Sequence, residues 1–295
     1  MFTGVSQSNI RSRGEIVMNL RLLLLIISLF SASPVFSQLY DGHSLTQTSL
    51  QALVGSVQPG SILLLGENHG LQSHRDQHMQ VLEALKARGL KLSVGLEFIN
   101  YTDQGQVDAY RNAKIDETEF LKNIVWSGFP FELYKSQLNF GEFSLGLNLP
   151  RNISSKISKS GLESLTIAER ALLPTDFALG RDSYRERFMA AAGAHCKNPQ
   201  NCFVAQCSWD DTMATTATRF LAEHPEQVLV IVVGEFHVQF GGGLAYRIQQ
   251  RSPGILVTSL SQIWAEDMTE EEINQSLQAS PVEGVRADFI WVSRP

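Results

Sequence analysis

Two tetrapeptides of one form, Gly66-Glu67-Asn68-His69 and Gly234-Glu235-Phe236-His237, each follow a short apolar run. Glycine allows a tight exit from a strand and close approach by a ligand. A glutamate and a histidine two residues apart in a turn can converge on one ion or one substrate. The chemistry open to such a set is proton transfer or ligation, by a carboxylate and an imidazole. One copy arises readily by chance, and a strand-terminal glutamate often only caps the next helix. Two copies at equivalent places point to a shared polar cleft, with a structural polar network as the competing account.

Other residues could join them. His74 and His78 are four apart, share a helix face near His69 and could ligate zinc or another divalent ion; the spacing lacks the Glu of a His-Glu-X-X-His helix. Gly241-Gly242-Gly243 precede a helix starting near Leu244, where exposed amides could hold a carboxylate or phosphate, with Arg247 and Arg151 in support. A flexible turn is the simpler account, since there is no Gly-X-Gly-X-X-Gly or Walker pattern. No Gly-X-Ser-X-Gly elbow for serine chemistry occurs either.

The elements that must position these groups are read from apolar runs at Ile62 to Leu65, Leu92 to Leu96, Phe143 to Leu147, Cys202 to Ala205, Val228 to Val233 and Ile255 to Thr258. Their continuous apolar character predicts strands covered on both faces. Helical patterns run from Ser73 to Gly89, Asp210 to Glu223 and Leu244 to Gln250, and Phe289 to Val292 is expected to add an edge strand. The fold class is therefore α/β: a mainly parallel central sheet flanked by helices, with helical insertions at about 100–140 and 153–194 capping the C-terminal edge of the strands. Ligands of such sheets bind outside the carboxyl ends of the strands. The runs deliver, in turn, Glu67 and His69; Glu97; Asn148 and Arg151; Gln206, Asp210 and Asp211; Glu235 and His237.

The chain has 295 residues, 43% hydrophobic and 18% charged, with a formal net charge of -6. That suits one globular domain and leaves no basic footprint for nucleic acid. Residues 1–37 read as a signal peptide with cleavage after Ser37, Met18 being an alternative start: Arg21 precedes the apolar run Leu22 to Phe30, which is too short for a membrane span. Residues 38–295 form the expected domain, periplasmic or secreted and soluble, with no transmembrane segment after cleavage. No cysteine lies in 31–40 to carry a lipid. Export favours a Cys196–Cys202 disulfide, and Cys207 reads as a small buried residue.

Leu65-Gly66-Glu67-Asn68-His69, Gly95-Leu96-Glu97-Phe98, Leu147-Asn148-Leu149-Pro150-Arg151, the run Gln206 to Ala214 and Val233-Gly234-Glu235-Phe236-His237 together resemble the ChaN haem-binding uptake family, from about Ser61 to Ser261. The resemblance implies an α/β core with helical insertions, haem as cofactor and partner, and bacterial haem or iron acquisition. It also implies an aromatic slot in the first insertion, with Tyr134 as first candidate ligand and Tyr101 and Tyr110 as alternatives. Arg151, Arg247 and the glycine turn would then hold propionates, and a homodimer around paired haems is expected. Many members look like outer-membrane lipoproteins, from which this chain departs by lacking the lipid-bearing cysteine. The related Tiki and erythromycin esterase-like proteins imply an alternative, a metal-dependent hydrolase using Glu67, His69, Glu97 and His237. Its divalent ion would be held among His69, His74, His78, Glu97, Glu235 and His237. A non-catalytic binding scaffold is the third reading.

Overall fold

The computed structural model describes residues 36–126 and 128–294. The expected signal peptide lies outside the described residues except for its last two positions. Seven strands form one sheet: β1 Phe36–Asp41, β2 Ile62–Glu67, β3 Lys91–Asn100, β4 Phe143–Asn148, β5 Gln227–Gly234, β6 Val257–Trp264 and β7 Phe289–Arg294. Their order is β1-β7-β6-β2-β5-β3-β4. Every pairing is parallel except β1 with β7.

The continuous apolar runs are explained by cover on both faces. Leu63 and Leu65 of β2 pack into a core shared with Val81, Leu82 and Leu85 of the helix Gln72–Ala87, while Ile62 and Leu64 pack with Met213, Ala214 and Ala217 of the helix Pro199–Glu223. Adjacent residues point to opposite faces, so a strand buried on both must be apolar throughout.

Three expectations need correction. Cys202 to Ala205 is not a strand but the first part of the 25-residue helix Pro199–Glu223. Its start is fixed by Pro199 in the first turn and by the Asn198 side chain, which accepts from the Asn201 N–H at 3.2 Å. A short apolar run cannot by itself distinguish a buried helix from a strand. Ile255 lies before its strand, which begins at Val257. Phe289 to Val292 lies within β7 but not at the edge, because β1 pairs beyond it.

The two insertions are helical. Helices Gln104–Arg111, Glu117–Asn123 and Glu132–Leu138 fill the first, and Arg151–Ser160, Ile167–Arg170 and Asp182–Ala192 the second. Cys196 and Cys202 are bridged, and Cys207 is buried as a free thiol. Among the described residues no helix is long and apolar enough to cross a membrane.

Candidate functional site

The strand order brings the two Gly-Glu-X-His turns side by side. β2 and β5 are neighbours in register, with Glu67 opposite Gly234, and β3 flanks β5 with Leu96 opposite Val232. The chain moves outward from β2 to β3 and β4, returns to β5 between β2 and β3, then crosses β2 to reach β6. Such a change of direction opens a crevice at the carboxyl ends of the strands.

The turns interlock. A Cβ on Gly234 would lie 2.8 Å from His69 Nε2 and 3.3 Å from Glu97 Oε2, so only glycine leaves room for the first turn's histidine against the second turn's backbone. In return the Gly234 N–H donates to Glu97 Oε2 at 2.6 Å.

A chain of polar contacts crosses the cleft floor. Tyr134 OH donates to Glu67 Oε1 at 2.7 Å, and the same oxygen is 3.0 Å from His69 Nδ1. His69 Nε2 stands 3.8 Å from Glu97 Oε2, and Glu97 Oε1 is 3.4 Å from His237 Nε2. His237 Nδ1 is 2.6 Å from Asp210 Oδ1. Behind it, Tyr184 OH donates to Asp210 Oδ2 at 2.7 Å and Arg247 Nη1 lies 3.7 Å from that oxygen.

These contacts set the charges. Burial alone would lower the His237 pKa, but Asp210 and then Glu97 overcome it and push it up to about 10, so the imidazole is a buried cation. Burial would raise Glu97; the adjacent His237 charge, His69 and the Gly234 N–H instead bring it down to about 2. His69 is raised despite burial, through Glu67 and Glu97, and Glu67 is raised chiefly by burial.

The cleft has two lobes that share His69, Glu97 and Trp209. A cavity of about 480 Å³ adds Gln206, His237, Phe188, Ala191 and Phe236. A second of about 660 Å³ has aromatic walls in Phe98, Trp126 and Phe129, with Asn148, Arg151 and Asn152 at its polar end. The His69 side chain is 30% exposed here, with its ring 4.7 Å from that of Phe98 and 5.4 Å from that of Phe129.

Of the anticipated site residues, Glu67, His69, Glu97 and His237 come together and Arg151 joins the aromatic lobe. The others go elsewhere. Tyr134 is 1% exposed, its hydroxyl bound to Glu67 and to the Gly70 N–H, and burial followed by the Glu67 charge raises its pKa. Tyr101 OH donates to the Leu172 carbonyl at 3.0 Å, and Tyr110 stacks on Phe120 at 4.5 Å. Arg247 is buried, donating to the Gly243 and Leu179 carbonyls at 2.9 and 3.0 Å, so it braces the glycine turn from within.

The divalent-ion set does not converge: among the described residues no group of three or more His, Cys, Asp or Glu side chains is arranged to hold a metal ion. His74 Nδ1 accepts the Asn68 N–H at 3.0 Å, which leaves the ring proton on Nε2 and no lone pair for a metal. His78 is fully buried, 3.2 Å from the Gln137 amide. Glu235 turns away to accept from the Gln262 N–H and Arg286 at 3.1 Å each, and from Ser261 Oγ. Sequence reasoning placed Asp210 at a strand end; it sits mid-helix, as the brace of His237. Its place at helical spacing from Met213, Ala214 and Ala217, three, four and seven residues on, puts a charge on the apolar stripe of the helix and is the sequence signal that marks it.

The profile described as haem-binding uptake, Tiki superfamily, ChaN matches residues 53–248, and those residues contain the whole network. The chain belongs to the ChaN family. Its fold is similar to that of ChaN of Campylobacter jejuni, solved with cofacial haem, at a TM-score of 0.64 and 16% identity over 89% of this chain and 98% of that one. An erythromycin esterase, EreC, in its open conformation matches more distantly, at a TM-score of 0.46 and 12% identity over 83% of this chain and 92% of that one. No curated protein matches. The family and the mainly parallel α/β fold agree with the resemblance carried by the sequence motifs.

Proposed function

We propose that this ChaN-family chain is an exported haem-binding protein of bacterial haem or iron uptake, in which the aromatic lobe would hold the haem and His69 would be the residue that ligates its iron. The observation that carries this reading is the Glu67–His69 pair at the cleft wall. His69 Nδ1–H donates to the Glu67 carboxylate at 3.0 Å, which fixes the tautomer with its lone pair on Nε2, the arrangement that orients metal-ligating imidazoles. Phe98, Trp126 and Phe129 offer the apolar slot that a porphyrin needs, and Arg151 a cation for a propionate. Bound haem would supply the iron chemistry; these side chains bind, orient and exclude water.

Titrating haem into the purified protein should give a saturable Soret band that His69→Ala abolishes. No Soret shift at micromolar haem would sink the reading. The C. jejuni relative binds haem cofacially, so a haem-dependent homodimer is part of the proposal, checked by size exclusion with and without haem. Export with cleavage after Ser37 is checked by sequencing the N-terminus of the mature protein; that cut would start β1 at Gln38 and remove the Ser37 hydroxyl that accepts the Trp291 indole N–H at 2.6 Å.

A second reading, hydrolysis, is favoured by the chain from Asp210 through His237 to Glu97, which haem binding leaves unused. Glu67, whose pKa is raised by burial, would take the proton of the attacking water as general base and His69 would return one to the leaving group, while ionised Glu97 holds the His237 cation in place. Turnover of a chromogenic ester that Glu67→Gln eliminates would support it, and a haem-free protein without such turnover would leave the binding scaffold.

A further inference from the structure

We propose that Val125 is a ligand-contacting residue, kept at the lip of the aromatic lobe to cover one face of a flat apolar ligand, against its own backbone preference. The proposal rests on the haem reading above. The helix Glu117–Asn123 ends in a crossed pair of hydrogen bonds, Val125 N–H to the Lys122 carbonyl at 3.2 Å and Trp126 N–H to the Leu121 carbonyl at 2.9 Å. This is the Schellman pattern, whose left-handed residue is normally glycine. Here it is Val125, at φ +53°. A β-branched side chain is the least suited to that region.

The same turn closes the preceding helix Gln104–Arg111. Ala113 has φ +54°, with its N–H bonded to the Tyr110 carbonyl at 3.0 Å and the Lys114 N–H to the Ala109 carbonyl at 2.8 Å. That turn lies away from the lobe and carries the small side chain. Val125 lines the lobe beside Ile124, Trp126 and Phe129, yet is 80% exposed. Neither backbone preference nor burial accounts for a valine at this position. Contact with an apolar ligand does, and strained residues of this kind concentrate at ligand clamps.

The test compares Val125→Gly, Val125→Asn and Val125→Ile by thermal melting and haem titration. Glycine and asparagine suit the left-handed backbone and should raise Tm by ~2–4 °C. They should also weaken haem binding roughly tenfold, the order expected for losing a buried isopropyl group. Val125→Ile should hold wild-type affinity to within about twofold, since it keeps the apolar contact. Wild-type affinity in the glycine and asparagine variants would overturn the inference and leave the haem reading standing. So would a fall in their Tm, which would make Val125 structural. Absence of a Soret band in the wild type would remove the haem reading and this inference together.

Discussion

His237 Nδ1 and Asp210 Oδ1 lie 2.6 Å apart with both side chains buried, and this pair fixes a positive charge beneath the cleft floor. The pKa of His237, about 10 in the fold, is above its ordinary 6.5. Its stabilisation is therefore complete below about pH 6.5 and is lost as pH rises through 10. His74 and His78 act in the opposite sense: burial lowers them from 6.5 to about 4 and about 3, so the unfolded chain takes up protons first as pH falls below 6.5. Glu97 adds to the acid flank, its contribution present above about 4.5 and lost as pH falls through 2. Stability should peak near pH 6.5 and decline on both sides, as read from denaturant midpoints between pH 4 and 10. A plateau extending to pH 9 would refute the assignment of His237 as a buried cation.

Asp210→Asn tests the same pair chemically. It removes the main charge that holds the proton on His237, and breaking a buried pair by removing one partner typically costs about 3 kcal/mol. The alkaline decline should flatten in the variant, because the His237 pKa would fall toward its ordinary value. Loss of stability without that flattening would mean that Asp210 acts by packing alone.

Tyr134 and His69 make opposite predictions as haem ligands. The Tyr134 hydroxyl already belongs to Glu67 and the Gly70 N–H, so Tyr134→Phe should cost about 1–2 kcal/mol of stability and leave the Soret maximum unchanged. His69→Ala should do the reverse, with near wild-type melting and no bound spectrum. A Soret band lost in Tyr134→Phe and retained in His69→Ala would give the ligand role to the tyrosine.

Much of this site was legible because glycine and charge are conspicuous at the ends of apolar runs. Glu67, His69, Glu97 and His237 were found together since each follows a strand, and strand ends of a parallel sheet share one edge. Elsewhere the sequence signal is ambiguous in physical terms. Cys202 to Ala205 is apolar whether helical or extended, and only the Asn198-Pro199 start distinguishes the two. The pairing of Glu235 with Arg286, 51 residues away, leaves no local mark and ties up its carboxylate. Equally, the tautomer of His74 is set by one backbone N–H, which no spacing rule reports.

The Cys196–Cys202 bridge ties the segment that follows the helix Asp182–Ala192, which supplies Ala191 to the smaller lobe, to the helix Pro199–Glu223, which supplies Gln206 and Trp209. Closing so short a loop is worth about 2 kcal/mol in the chain-entropy account. Reduction, or Cys196→Ser, should lower Tm by ~4–8 °C for a chain of this size. An unchanged melt under reducing conditions would show the bridge to be dispensable.

Gly234 and Gly243 separate function from stability. Alanine at Gly234 would place its methyl group 2.8 Å from His69 Nε2, the end of a side chain that can rotate away, so the fold should lose no more than about 1 kcal/mol. The imidazole would then leave the position from which it reaches a ligand, and haem affinity should drop at least tenfold, or about 1.4 kcal/mol. At Gly243 the methyl would meet the backbone carbonyl of His237 at 2.6 Å, which cannot move without the turn that carries His237. Gly243→Ala should therefore cost about 2–3 kcal/mol of stability. Parallel melts and haem titrations on the two variants decide the matter: equal losses in both measurements for both glycines would mean that the turns are scaffold alone.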